Sequence, residues 1–144
     1  MSRALLAAAG GAVLLVALAG CGAAANGGAG DVARGDASLA AAFRDHAHDL
    51  QVQGSGVVER VLADDTEGGR HQRFILRLAS GQTLLVAHNI DVAPRVEGLK
   101  AGDTIAFDGV YEWNAEGGTI HWTHRDPAGS HAPGWLRHDG TTYQ

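Results

Sequence analysis

From Gln51 onward the chain alternates, with apolar residues at every second position in short runs that end in Gly, Pro, Asn or Asp. Period two is the pattern of strands that bury one face and wet the other. The first strand is expected from Val52 to Leu62, with Gly54 and Gly56 placed to bend or bulge it. Residues 63–69, ADDTEGG, read as a loop, and His71 to Leu78 as a second strand with Phe74, Leu76 and Leu78 on one face. Ser80-Gly81 is expected to close a tight hairpin into a third strand, Thr83 to Ile90. A Pro-containing connection, DVAPRVEGLKAG (91–102), leads to a fourth strand, Thr104 to Trp113. NAEGG (114–118) turns the chain into a fifth, Thr119 to His124. The remainder, DPAGSHAPGWLRHDGTTYQ, reads as an irregular tail with Trp135 and Tyr143 as anchors.

Five strands, the first of them bent, with a long third connection and a closing hairpin, describe an all-β fold: a small five-stranded OB-like barrel. Leu99-Lys100-Ala101-Gly102-Asp103-Thr104-Ile105, followed by Gly109, resembles the start of the fourth strand in many small OB domains. A β-sandwich is the alternative, and five strands are few for it.

Ahead of the strands lies a different kind of sequence. Arg3 precedes a run of small and apolar residues, Ala4 to Ala19, interrupted only by Gly10 and Gly11. A short positive region followed by such a run has the form of a secretory signal, and it is short and Gly-rich for a membrane span. The run ends in Leu18-Ala19-Gly20-Cys21, which resembles a bacterial lipobox, in which the cysteine thiol is lipidated and becomes the mature N-terminus. Cys21 is the single cysteine, so no internal disulfide framework and no Cys-rich zinc module is available. Residues 1–20 are therefore expected to be a lipoprotein signal peptide and 21–35 a flexible Gly/Ala-rich tether. Residues 36–144 are then the OB-like domain. A short N-terminal helix is expected from a cap at Asp36 or Ser38 to about Leu50, with Leu39, Phe43, Ala47 and Leu50 on one stripe. Gly22, where an Asp would signal retention, points by resemblance to the outer membrane, facing the periplasm, in a Gram-negative host.

Charge narrows the partners. Eleven Lys and Arg stand against sixteen Asp and Glu, and removal of residues 1–20 takes away only Arg3, so ten against sixteen leaves the mature chain at −6. OB barrels commonly bind across strands two and three, framed by the loops after strand one and between strands four and five. Here those loops carry Asp64, Asp65, Glu67 and Glu116. Acidic loops repel a phosphate backbone, which disfavours general nucleic-acid binding.

Eight histidines against one lysine is the remaining compositional signal. With a two-residue hairpin at 80–81, Arg73 faces His88 and His71 faces Ile90, putting His71, Arg73 and His88 on the outer wall. The 114–117 turn sets Glu112 beside Thr119, within diagonal reach of His121. Adding Asn89, Asp91 and His124 gives a candidate ligand-binding patch: His71, Arg73, His88, Asn89, Asp91, Glu112, His121 and His124. An anionic small molecule or a glycan suits Arg73 and partly protonated imidazoles, and an envelope protein is a further candidate partner; a solvated barrel exterior is the plain alternative. His124, Asp126 and His131 are candidate metal ligands, of the imidazole and carboxylate kind that take zinc or a similar divalent ion. No H-E-x-x-H signature accompanies them, and no serine sits in a nucleophile elbow. Two functions follow: a non-catalytic binding module of the envelope, or a metal-dependent hydrolase (nuclease or phosphoesterase) with His124 and Asp126 as ligands and Glu112 as base. A third is a purely structural envelope component.

Taken together, GSGVVERVLADD, GGRHQRFILRL, LLVAHNIDVAPR, the Gly102-Asp103 pair, GVYEWNAEGG and HWTHRDPAGSH resemble one bacterial family of small exported proteins, domain of unknown function 3465, over residues 51–144. The resemblance implies fold and export, and it transfers no catalytic residue.

Overall fold

The computed structural model describes residues 27–144. The expected signal peptide and Cys21 lie outside the described residues. The elements are α1 (Gly27–Arg44), β1 (Leu50–Val61), β2 (His71–Arg77), β3 (Thr83–Asn89), β4 (Thr104–Glu112), β5 (Thr119–His121), β6 (Trp135–His138) and β7 (Thr141–Tyr143). Antiparallel pairs β1–β2, β2–β3, β5–β4 and β4–β1, with a parallel β3–β5 pair, close a five-stranded barrel in the OB topology.

β1 closes the ring by serving two partners. Its residues 50–57 pair with β4 and residues 57–61 with β2, with a bulge at Glu59. The bend requires close approach: a Cβ on Gly54 would stand 2.6 Å from the Phe107 ring. The interior is filled by Phe74, Leu76, Leu84, Val86, Ile105, Phe107, Tyr111, Ile120 and Leu136, each at most 1% exposed. Tyr111 donates its hydroxyl to the Gly117 carbonyl at 3.1 Å, satisfying the one polar atom this buried ring carries.

Four local expectations are corrected. The helix starts at Gly27, not at Asp36, so residues 27–35 of the expected tether are helical. Val32, Gly35, Asp36, Leu39, Ala42 and Phe43 form the inward stripe, and Gly35 lies so close to β1 that a Cβ would meet the Gln53 carbonyl at 2.7 Å. Packing against the barrel begins at Val32 and Gly35, and the exposed Gly-rich turn at 28–31 extends that docked helix. Asp36 is no helix cap; its carboxylate accepts the Ser80 N–H at 2.8 Å and fastens the helix to the β2–β3 turn. The helix ends at Arg44, and left-handed His46 (φ 51°) and Asp49 (φ 52°) swing the chain into β1.

Second, the β2–β3 loop has three residues, Ala79-Ser80-Gly81, with Leu78 N–H bonded to the Gln82 carbonyl at 2.9 Å and Gly81 at φ 90°. One extra loop residue shifts the register by one. His71 therefore faces Asn89, Gln72 faces His88 and Arg73 faces Ala87. A one-residue shift flips a strand's faces, so His88 points inward, not outward.

Third, β5 ends at His121 because Trp122 takes φ 54°, a left-handed backbone that costs a bulky residue on the order of 1 kcal/mol. Fourth, the tail is not irregular throughout. Asp139 and Gly140 are both left-handed (φ 47° and 78°), forming a two-residue hairpin turn between β6 and β7. β6 docks on β4 at Ala106–Asp108, burying Leu136, while Tyr143 packs on the core. Trp135 lies half-buried beneath the Arg137 guanidinium, 4.7 Å from its ring centre.

Candidate functional site

β4 changes partners along one edge: it holds β6 through residues 106–108 and β5 through residues 110–112. Gly109 falls at the changeover, where a Cβ would meet the His121 carbonyl at 2.6 Å. The loop 122–134 leaves and returns there. Its two ends touch: Gly134 N–H donates to the His124 carbonyl at 2.9 Å, and a Cβ on Gly134 would stand 2.0 Å from the Trp122 carbonyl oxygen. Inside the loop, the Asp126 carboxylate accepts the N–H groups of Ala128, Ser130 and His131 and the Ser130 hydroxyl, at 2.6–2.9 Å. Those bonds, led by the hydroxyl, hold its carboxyl far below the usual carboxylate range. The Trp122 indole stacks on His131, with ring centres 3.9 Å apart and planes 17° off parallel.

Between this loop and the ends of β2 and β3 lies a cavity of about 330 Å³. His71, Ala87, Asn89 and Val92 form one wall, and His121, Trp122, His124, Asp126 and Pro127 the other. It opens at the C-terminal ends of the parallel β3–β5 pair, where the two strands separate. Helix α1 covers the opposite end of the barrel, reaching the turns at Gln82 and Trp113.

Each imidazole has a definite task. His71 Nδ1–H donates to the Gly69 carbonyl at 3.2 Å and His124 Nδ1–H to the Arg125 carbonyl at 2.7 Å, because a carbonyl only accepts. His121 Nε2 is buried without a hydrogen-bond partner, and Glu112 Oε1, at 3.8 Å, is out of bonding reach. Burial keeps the His121 pKa below the ordinary value despite that carboxylate. His88 is fully buried behind the cavity. Its Nε2–H donates to the Pro94 carbonyl at 3.0 Å, which leaves Nδ1 to accept the Thr123 hydroxyl at 2.8 Å. One neutral ring thus ties the β3–β4 connection to the loop 122–134.

The eight-residue patch read from the sequence is accordingly divided. His71, Asn89, His121 and His124 meet in the cavity. His88 supports it from within. Arg73 is directed away, donating to the Ala63 carbonyl at 3.1 Å. Asp91 is held by the Arg70 side chain at 2.7 Å and backbone N–H at 2.8 Å. Glu112 pairs with Thr119 in register, as expected, and its carboxylate bonds His48 Nδ1 at 2.7 Å and the Asp49 N–H at 3.0 Å. Burial acts to raise the Glu112 carboxyl, but these bonds prevail and hold it below its ordinary value.

The metal candidates do not converge. Asp126 spends its oxygens on the loop, His131 stacks on Trp122, and β5 ends before the spacing of His124 and Asp126 can align them. Among the described residues no group of three or more His, Cys, Asp or Glu side chains is placed to hold a metal ion. Sequence reasoning missed the shaping residues Thr123 and Gly134 and the apolar wall of Val92 and Pro127. Only the Gly and Pro flanking the loop signal an excursion there.

No curated protein matches the chain. The family described as Protein of unknown function (DUF3465) matches residues 25–144, which takes in helix α1, the whole barrel and the β6–β7 hairpin, and the chain belongs to that family.

Proposed function

We propose that the protein is an exported lipoprotein of the cell envelope, anchored through Cys21, whose OB-like barrel binds a small polar ligand without chemical turnover. The observation that carries the binding reading is the cavity of about 330 Å³ at the β3–β5 split, apolar in part and lined by convergent imidazoles and an amide. The anchoring reading rests on Arg3, the apolar run and Leu18-Ala19-Gly20-Cys21. The hydrolase reading finds no support in the donor set, since Asp126 and Glu112 are already engaged by protein donors.

A panel of small polar compounds, screened by NMR on isotope-labelled mature protein, tests the binding. Hits are expected to move signals of Trp122, His71 and His124, and Trp122→Ala is expected to abolish them. Hits scattered over the barrel, or none, would refute the reading. For the anchor, Cys21→Ser is expected to remove a lipid-sized mass increment and the membrane association; an unchanged mass would refute it.

A further inference from the structure

Resting on the reading of the cavity as a binding site, we propose that its ligand is a short extended peptide without acidic side chains, held by its backbone against the free edge of β3. Alternate residues of β3 serve its two neighbours. Ile90 N–H donates to the Arg70 carbonyl at 2.8 Å, whereas Leu85 N–H turns the other way, to the Gly118 carbonyl at 3.0 Å. By that parity Ala87 and Asn89 also direct their N–H and C=O groups away from β2. The residues they face in β2 agree: the His71 carbonyl accepts the Asp65 N–H at 3.0 Å and the Arg73 carbonyl the Leu62 N–H at 3.0 Å, both on the side away from β3.

On its outer side β3 outlasts its partner. The pairs Leu85–Thr119 and Val86–Ile120 set Ile120 between the Leu85 carbonyl and the Ala87 N–H, and there the ladder stops. Left-handed Trp122 turns its chain aside while β3 runs on to Asn89. The Asn89 carbonyl accepts the Ala93 N–H at 3.2 Å. What remains on this edge is one acceptor, the Ala87 carbonyl, and one donor, the Asn89 N–H, neither with a protein partner among the described residues. A carbonyl at one position and an N–H two positions on are what a single residue of a parallel neighbour takes up, as Ile120 does two positions earlier. Ala87 and Asn89 both line the cavity, so the cavity stands where β5 would continue. Its volume of about 330 Å³ is at the low end of ligand clefts and suits a few residues, not a folded partner. Val92, Trp122 and Pro127 offer apolar surface to a side chain, and the Asp126 carboxylate disfavours an acidic one. Strand addition of this kind takes its affinity from main-chain bonds and its selectivity from such walls.

The test uses the full mature chain and a neutral probe, N-acetyl-alanyl-leucyl-alanine amide, followed by NMR and amide hydrogen exchange. In the free protein the Asn89 N–H is expected to exchange fast beside a protected His88 N–H, which lies in the β2–β3 ladder. Saturating peptide is expected to slow Asn89 exchange at least about tenfold and to move the Trp122 indole signal. The same peptide with every backbone nitrogen methylated is expected to bind at least about tenfold more weakly. Asn89→Pro deletes the donor at an edge position where no ladder bond depends on it. It is expected to bind the peptide at least about tenfold more weakly than Asn89→Ala, which keeps the N–H. Should Asn89→Pro unfold, the methylated peptide decides. Equal affinity for the two peptides, equal affinity of folded Asn89→Pro and Asn89→Ala, or bound peptide without Asn89 protection overturns the inference. Methyl glucoside moving the cavity signals while the peptide moves none overturns the peptide and leaves the binding site standing. If neither probe reaches the cavity, both readings fall.

Discussion

Acidification from pH 6.5 to pH 4.5 is expected to destabilise the barrel through His88. Burial, opposed by the Pro94 carbonyl and reinforced by His124 and His71, lowers its pKa from 6.5 to about 4. A neutral Nδ1 is also what accepts the Thr123 hydroxyl, so a proton there removes that bond. Because the folded value lies below the unfolded one, the unfolded chain takes up the proton first, and stability falls as pH drops through the interval between them. The contribution is intact above pH 6.5, reduced by about 1 kcal/mol at pH 5.5 and by about 2 to 3 kcal/mol at pH 4.5, close to its limit of about 3 kcal/mol. Urea unfolding monitored by tryptophan fluorescence, at one-unit intervals from pH 7.5 to 4.5, measures it. His88→Gln keeps a polar side chain without a titrating group, so the variant, though less stable throughout, should show a curve flatter by those amounts. Parallel curves for the two proteins would refute the reasoning, since the slope would then come from other groups.

Further expectations concern the loop 122–134. Gly134→Ala forces a Cβ onto the Trp122 and Asp108 carbonyls and is expected to cost more than about 2 kcal/mol and to displace Trp122, read by thermal melts and indole chemical shift. Asp126→Ala strands four donors and is expected to render the loop susceptible to limited proteolysis while β1 to β4 retain their amide protection; equal protease resistance would count against the anchoring role. Gly140→Ala, at φ 78°, is expected to cost about 1 kcal/mol in chemical denaturation and to fray the β6–β7 hairpin.

The barrel was legible because alternation and turn residues are local and repeated: Phe74, Leu76 and Leu78 face the core as their spacing demands, and Glu112 meets Thr119 across a correctly read turn. The facing of His88 was not, since it hangs on whether the preceding loop has two residues or three, and Ser80-Gly81 fits both. The third turn of α1 is held by the close approach of Gly35 to Gln53 and by the bond from Ser80 to Asp36, contacts distant in sequence that no propensity encodes. Asp139-Gly140 did carry a hairpin signal, masked by the Gly and Pro around it. Nothing local announces the left-handed Trp122, so the loop walling the cavity, and the separation of Arg73 from His71, emerge only from the three-dimensional arrangement.

The early start of α1 bears on how such a molecule would stand on a bilayer. Six chain steps separate Cys21 from Gly27, and at roughly 3.5 Å each they reach no farther than about 21 Å in any conformation. A lipid on Cys21 would then act as a short leash fastened to the helix that stoppers one mouth of the barrel. On the proposed anchor, the start of that helix could stand no farther than this from the headgroups, so the barrel would work close to the bilayer surface.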